Sequence, residues 1–156
     1  DIADKIPSLG FWLGDEGSGG YLGKTLVVAF LQKEMPEDLA VKFAKRYGLN
    51  REIVLENAYK QPFPNRYFAG FSKFLFDNRS HPFAYTLVYD AFGEFLTKYV
   101  CKLPDYQKYK THFVGSVAFY YSDILRRAAA EKGIVVGHIM ETPIAGLTLY
   151  HRPAMV

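Results

Sequence analysis

Apolar residues recur at the spacing of an α-helix through the first two-thirds of the chain. Ser18 precedes the first such run and can cap it, so we predict a helix over residues 19–33. A second helix is predicted over 36–48, with Pro36 at its first helical position, and Asn50 can cap a third. The first two of these helices have an apolar face, which is typical of packing around a core.

The helical pattern continues with a shorter run and then with the longest one in the chain. A single helix is expected over 65–75. His81 can cap the longest run, whose bulky apolar row extends to Tyr99, and Pro104 ends it. Residues 18–103 are therefore predicted to form a mainly helical region.

The last third of the chain changes to a pattern of strands and helices. Residues 111–114 and 134–139 have the character of short buried strands, and 116–132 between them are predicted to form one helix. Two strands joined by a helical crossover pair in parallel, so with a closing helix the region 111–150 is predicted to be βαβα and the fold class α/β. Because parallel sheets need neighbouring strands and cover on both faces, two strands cannot be the whole sheet.

The densest chemical signal is a glycine-rich bend with two adjacent carboxylates, Gly14-Asp15-Glu16-Gly17-Ser18, just before the first long predicted helix. Glycine lets a backbone approach a ligand closely, and the helix dipole favours carboxylates at this end. Such carboxylates could accept hydrogen bonds from sugar hydroxyls, whereas the simpler interpretation is a helix cap with solvated acids. A phosphate-binding P-loop and a calcium loop are excluded, because the required glycine and the alternating ligands are missing.

A second turn of small residues, Gly115-Ser116, joins the first predicted strand to the helix that follows it. Open α/β sheets bind ligands at the carboxyl ends of their strands, and small residues let a flat ring lie against the backbone. A tight turn with a serine cap is the simpler interpretation of the same residues.

Composition narrows the classes of function. The 156 residues carry a net charge of +3 without a basic stripe, so we expect no nucleic-acid partner. The single cysteine, Cys101, excludes an internal disulfide and an iron–sulfur cluster ligated by this chain alone, and it fits a cytoplasmic protein. No apolar run is long enough for a transmembrane helix. The four histidines lack metal-ligand spacing, so we expect them to be structural and predict no metal site.

Four segments, in this order along the chain, resemble the BadF/BadG-type ATPase and N-acetylglucosamine kinase family of the actin-like sugar kinase superfamily. They are residues 13–18, 66–71, 113–117 and 143–147. The most specific part of the resemblance is the Gly-Asp-Glu-Gly-Ser bend combined with the distant Gly-Ser-Val turn. The resemblance covers essentially the whole chain and implies the C-terminal lobe of an actin-like, ribonuclease H-like ATPase fold, with a partial sheet and a large helical insertion.

The resemblance also implies a reaction and its binding residues. The reaction is ATP- and Mg²⁺-dependent phosphorylation of an amino sugar, N-acetylglucosamine or glucosamine. Asp15 would accept hydrogen bonds from the sugar. Gly14 and Glu16 would shape the same wall of the binding site. The adenosine pocket would be lined by Gly115, Ser116 and Gly146.

The same resemblance implies that this chain is only part of the enzyme. The phosphate loops and the catalytic aspartate are expected upstream of residue 1, so we predict no catalytic residue within 1–156, no activity of the chain alone, and its own N-terminal lobe as a partner. The aromatic helices would suit packing against that lobe or a homodimer face. Two alternatives stay open, an activase that couples ATP hydrolysis to electron transfer and a non-catalytic sugar-sensing module.

Overall fold

The computed structural model describes residues 4–150, which form a helix-rich fold with one small parallel sheet. The elements in these residues are α1 (Gly10–Leu13), α2 (Gly19–Leu31), α3 (Glu37–Tyr47), α4 (Arg51–Tyr59), α5 (Pro64–Ala69), α6 (Ser72–Asp77), α7 (Pro82–Phe95), β1 (Lys110–Val114), α8 (Ser116–Tyr120), α9 (Ser122–Glu131), β2 (Val135–Met140) and α10 (Ile144–Tyr150). A π-helical turn, Leu96–Val100, continues α7, and a 3₁₀ turn, Tyr106–Lys108, precedes β1. The predicted combination of many helices with a small parallel sheet is confirmed.

The helix ends agree with the sequence wherever a side chain or a glycine fixes them. Ser18 Oγ and Asn50 Oδ1 each accept a hydrogen bond from the amide three residues later, at 3.1 and 2.9 Å, and so cap α2 and α4. Gly48 ends α3 with a φ of 57°. The prediction for Pro36 was wrong by one position, because Pro36 is the N-cap residue of α3 and the helix begins at Glu37.

Two of the predicted helices are broken in the structure, and each break buries an aromatic ring. The predicted helix 65–75 divides into α5 and α6 around Phe71, whose ring lies 4.9 Å from that of Tyr47. The predicted helix 116–132 divides into α8 and α9 at Tyr121, which is 4% exposed and lies 5.7 Å from Phe76. Tertiary packing therefore overrides a continuous local pattern at both positions.

The core of the helical region is aromatic and centres on Phe43, which has no exposed surface. Its ring lies 4.9 Å from Phe30, 4.8 Å from Tyr47 and 5.0 Å from Phe74, the last in an edge-to-face arrangement that suits the ring quadrupoles. Much of the chain's high aromatic content is therefore core packing.

Helices α2 and α5 pack with their backbones in contact. A methyl group on Gly23, in the second turn of α2, would lie 1.8 Å from the carbonyl oxygen of Phe68 in α5. Only glycine fits at that distance. The contact fixes α2, whose N-terminus carries the Asp15 bend.

Strands β1 and β2 pair in parallel, as predicted, with Lys110 opposite Val135 and Val114 opposite Met140. The register is irregular between Thr111 and Phe113. The sheet is poorly covered, because Val114 is 50% exposed, Val135 47% and Met140 39%. Parallel sheets are normally buried on both faces, so this pair of strands has the character of part of a larger sheet.

The contact between Gly23 and Phe68 generates a test of the fold. We expect Gly23→Ala to lower the free energy of unfolding by about 3 kcal/mol, because the helix backbones must move apart to admit the methyl group. The matched control is Gly93→Ala in α7, where an added methyl group meets no atom within 4 Å and should raise stability by up to about 1 kcal/mol. Denaturant unfolding of both variants measures the difference, and equal stabilities would contradict the packing described.

Candidate functional site

The Asp15 bend is a tight turn that leads directly into α2. Asp15 has a φ of 62°, in the left-handed region that aspartate tolerates better than most residues. Its carbonyl oxygen accepts a hydrogen bond from the Ser18 amide at 3.0 Å, which closes the turn. The Asp15 carboxylate is half-buried and has no hydrogen-bond or ion-pair partner within the described part of the chain. It is therefore free to accept hydrogen bonds from a ligand.

The neighbouring carboxylate, Glu16, is already engaged by two groups of the protein. Its side chain is 8% exposed and accepts hydrogen bonds from Lys98 Nζ at 2.7 Å and from the Tyr99 hydroxyl at 3.3 Å. Burial raises the pKa of Glu16, but the hydrogen bonds from Lys98, from its own backbone amide and from Tyr99, with the charge of Lys98, lower the pKa by more. Glu16 is therefore held as a carboxylate, and the two acids of the bend differ in role.

Lys98 and Tyr99 both lie in the π-helical turn, which sequence reasoning missed. The apolar row of α7 predicted a continuous helix through Tyr99, but Cys101 N–H donates to the carbonyl oxygen of Leu96 at 2.8 Å, five residues earlier. Tyr99 belongs to that apolar row, which indicated core packing, and Lys98 stands in no motif. No local signal identifies either residue as a partner of Glu16.

The Gly115-Ser116 turn lies at the carboxyl end of β1, as predicted. Gly115 has φ 144° and ψ 150°, a conformation that is essentially restricted to glycine. Its amide donates to the Met140 carbonyl oxygen at 2.8 Å, which ties the turn to the end of β2. A methyl group on Gly115 would meet no atom within 4 Å, so the backbone faces open space. Ser116 follows the N-cap residue Gly115 as the first residue of α8, and it is exposed.

The two motifs, far apart in the sequence, face one cleft of about 500 Å³. Asp15, Glu16 and Ser18 line one wall, and Gly115 and Ser116 line another. The floor between them is apolar and mostly aromatic, and its residues include Phe92, Phe95, Tyr99 and Phe113. A volume of this size with an apolar floor and a few polar groups is typical of small-molecule sites.

The other predicted glycines have different positions. Gly14 is buried directly before the bend and is not among the residues that line the cleft. Gly146 was expected in a turn beside the adenosine pocket, but it lies within helix α10, is exposed, and does not line the cleft.

The histidines of the described residues have local roles. His81 Nδ1 accepts a hydrogen bond from the Phe83 amide at 3.1 Å and caps α7, as predicted. His112 Nδ1 accepts one from the His138 amide at 2.9 Å, and the two rings stack at 5.2 Å. The fourth, His151, lies outside the described residues.

The described residues contain neither a metal-binding cluster nor a membrane-spanning helix. Residues 4–150 contain no group of three or more His, Cys, Asp or Glu side chains that could hold a metal ion. No helix in the same part of the chain is long and apolar enough to cross a membrane.

The chain is similar over 97% of its length to the crystal structure of the "Putative N-acetylglucosamine Kinase" of Porphyromonas gingivalis, with 38% sequence identity and a TM-score of 0.89. It spans about half of that protein, 53% of its chain. No protein-family model and no curated protein matches significantly. The resemblance to N-acetylglucosamine kinases that the sequence motifs predicted is confirmed by this structure.

The lowered pKa of Glu16 predicts a pH-dependent contribution to stability. Because the folded protein favours the carboxylate, this contribution is complete above the ordinary glutamate pKa of 4.5 and is lost as the pH falls through the lower pKa of the folded state. Glu16→Gln removes the titration. Between about pH 6 and pH 3 its melting temperature should therefore fall less than that of the wild type.

The control for this measurement is Glu52→Gln, which changes an exposed carboxylate on α4 and should keep the pH dependence of the wild type. A wild-type pH dependence in Glu16→Gln as well would show that the buried pair makes no such contribution.

Proposed function

We propose that this chain, which has the structure of one half of its kinase relative, is the C-terminal half of an ATP-dependent amino-sugar kinase with an actin-like fold. N-acetylglucosamine is the proposed substrate, since the relative's name specifies that sugar. The observation that carries the proposal is that one cleft has the Asp15 bend on one wall and the Gly115-Ser116 turn on another. A kinase must bind a sugar and a nucleotide side by side, and the cleft has a wall suited to each.

The Asp15 wall suits the sugar. Its carboxylate is the one acid lining the cleft that no other described residue engages, since Glu16 is held by Lys98 and Tyr99. Sugar hydroxyls are donors, and hydrogen bonds from them to a charged acceptor are stronger than those between neutral groups. We therefore assign the recognition of a sugar hydroxyl to Asp15.

The Gly115 wall suits the adenosine part of ATP. The glycine leaves its backbone open, and the neighbouring lining residues Val114, Val117 and Ala118 are apolar, so a flat ring can lie against this surface. Gly146 lies outside the cleft lining, so the proposal assigns the adenosine contacts to Gly115 and Ser116.

The triphosphate and Mg²⁺ do not fit the residues present. The described residues that line the cleft include no lysine or arginine, and Asp15 and Glu16 are their only carboxylates. In phosphoryl transfer, cationic groups and Mg²⁺ offset the charge of the transferring group, and a general base can accept the proton of the attacking hydroxyl. We propose that the other half of the protein supplies these groups.

The exposed sheet suits the docking of that other half. Val135 and Met140 expose apolar surface on a pair of parallel strands, where neighbouring strands or helices normally lie. The partner proposed for this surface is the upstream half of the same protein, since the kinase relative is about twice as long as this chain.

The test of the function is an ATP-coupled assay of the intact protein with a panel of amino sugars and neutral sugars. We expect ADP release that depends on N-acetylglucosamine or glucosamine, with formation of the sugar phosphate. Sugar-independent ATP hydrolysis would favour the activase alternative, and sugar binding without phosphoryl transfer would favour the binding module.

Asp15→Asn tests the sugar wall. The amide keeps the shape of the carboxylate but loses its charge, so kcat/KM for the sugar should fall about ten- to a hundredfold, while the KM for ATP stays the same. The control is Asp90→Asn on α7, an exposed acid that does not line the cleft. A wild-type kcat/KM in Asp15→Asn would contradict the assignment of Asp15 to the sugar site.

Gly115→Ala tests the adenosine wall. Alanine resists the backbone conformation of Gly115, with a cost of about 1–3 kcal/mol, so the turn should rearrange and raise the KM for ATP about fivefold or more. The KM for the sugar should not change. Gly93→Ala is again the control, and an unchanged KM for ATP in Gly115→Ala would place adenosine elsewhere.

A further inference from the structure

The Asp15 bend lies directly on the C-terminal part of α7 and its π-helical turn. A methyl group on Gly14 would lie 3.2 Å from the Tyr99 hydroxyl oxygen, and one on Gly17 would lie 3.5 Å from both Phe92 and Phe95. Between them Glu16 accepts its two hydrogen bonds from the same segment. The residues on both sides of Asp15 are therefore in contact with one short stretch of chain.

The π-helical turn presents two adjacent residues to one carboxylate. Lys98 Nζ and the Tyr99 hydroxyl both reach Glu16, at 2.7 and 3.3 Å. Residues next to each other on a regular α-helix do not share a face, and a π-helical turn inside a helix is frequently found at a functional site. Here the π-helical turn lies where the side chains of Lys98 and Tyr99 both contact Glu16.

Other contacts fix these two side chains in turn. Lys98 also pairs with Glu94, with an Nζ–Oε2 distance of 3.0 Å. The Tyr99 ring stacks on Phe95 at 5.3 Å, and both residues line the cleft. Glu16 therefore accepts hydrogen bonds from one cationic and one neutral side chain, and a further contact fixes each of these two side chains.

We infer that Lys98 and Tyr99 are positioning residues, which hold Glu16 and thereby fix the neighbouring Asp15 carboxylate for the sugar. The inference rests on the proposed kinase function and extends it to two residues that no motif identifies. Asp15 has a positive φ, and a sparsely populated conformation persists only where surrounding contacts enforce it. The hydrogen bonds from Lys98 and Tyr99 to Glu16 are such contacts. Their loss should weaken the binding of the sugar and leave the binding of ATP unchanged.

The test replaces Lys98 in the intact protein and measures kinetics for both substrates. Lys98→Met removes the cation from a buried carboxylate, so the KM for the sugar should rise about ten- to a hundredfold, with the KM for ATP unchanged. Lys98→Arg restores the charge, and it should recover most of the affinity because the position is half exposed. Lys60→Met is the matched control, since Lys60 is an exposed lysine that pairs with Glu56 and does not line the cleft.

A purely structural role would produce a different result. Loss of stability lowers the melting temperature and the fraction of active enzyme, but it does not raise the KM for one substrate alone. If Lys98→Met does not fold, Tyr99→Phe gives the same test, with a rise of about two- to tenfold in the KM for the sugar because one hydrogen bond is lost.

The remaining outcomes separate this inference from the function on which it rests. A wild-type protein that phosphorylates amino sugars, with a wild-type KM for the sugar in both Lys98→Met and Tyr99→Phe, would overturn the positioning role alone. Equal increases in both KM values would also overturn it. A wild-type protein that neither binds nor phosphorylates amino sugars would overturn the proposed function and this inference together.

Discussion

The interaction on which the candidate site depends is the burial of the Glu16 carboxylate. A carboxylate in an apolar setting is costly unless donors satisfy it, and a cation does so best. The bend cannot supply that cation itself, because its neighbours are glycines, Asp15 and Ser18. Lys98, from the far end of the helical region, lies against it at 2.7 Å. The need to satisfy one buried acid therefore ties the start of α2 to the end of α7, and the geometry of the cleft wall follows from that connection.

The local parts of this structure could be predicted from the sequence, because single residues determine them. Ser18 and Asn50 cap helices through bonds to amides three residues away, and the two strands are short apolar runs beside a Gly-Ser turn. The breaks at Phe71 and Tyr121 could not be predicted, since burial against distant aromatic rings causes them. A local pattern carries no information about such a neighbour.

The residues of the candidate site also fall into those that local motifs predicted and those that only the folded structure shows. Asp15 and Gly115 were predicted because each stands in a short glycine-containing motif at the end of an element, where backbone geometry favours ligand binding. Lys98 was missed because its partner Glu16 is 82 residues away and its own surroundings resemble any charged helix end. Gly146 came from the resemblance alone, and it lies in α10 away from the cleft lining. Motifs thus locate the groups that the proposed function assigns to ligands, and only the folded chain shows what holds those groups in place.

One residue on the floor of the cleft connects its two walls. Phe95 stacks on Tyr99 at 5.3 Å, beside the Glu16 contact, and its ring lies 6.5 Å from that of Phe113, two residues before Gly115. Under the proposed function, the spacing between the sugar wall and the adenosine wall is therefore set within this chain by aromatic packing. The described residues that line the cleft offer no cation to the phosphates that this function would place between those walls. Under the proposed function this chain sets how far apart the two substrates bind, and the other half determines whether a phosphoryl group can be transferred between them.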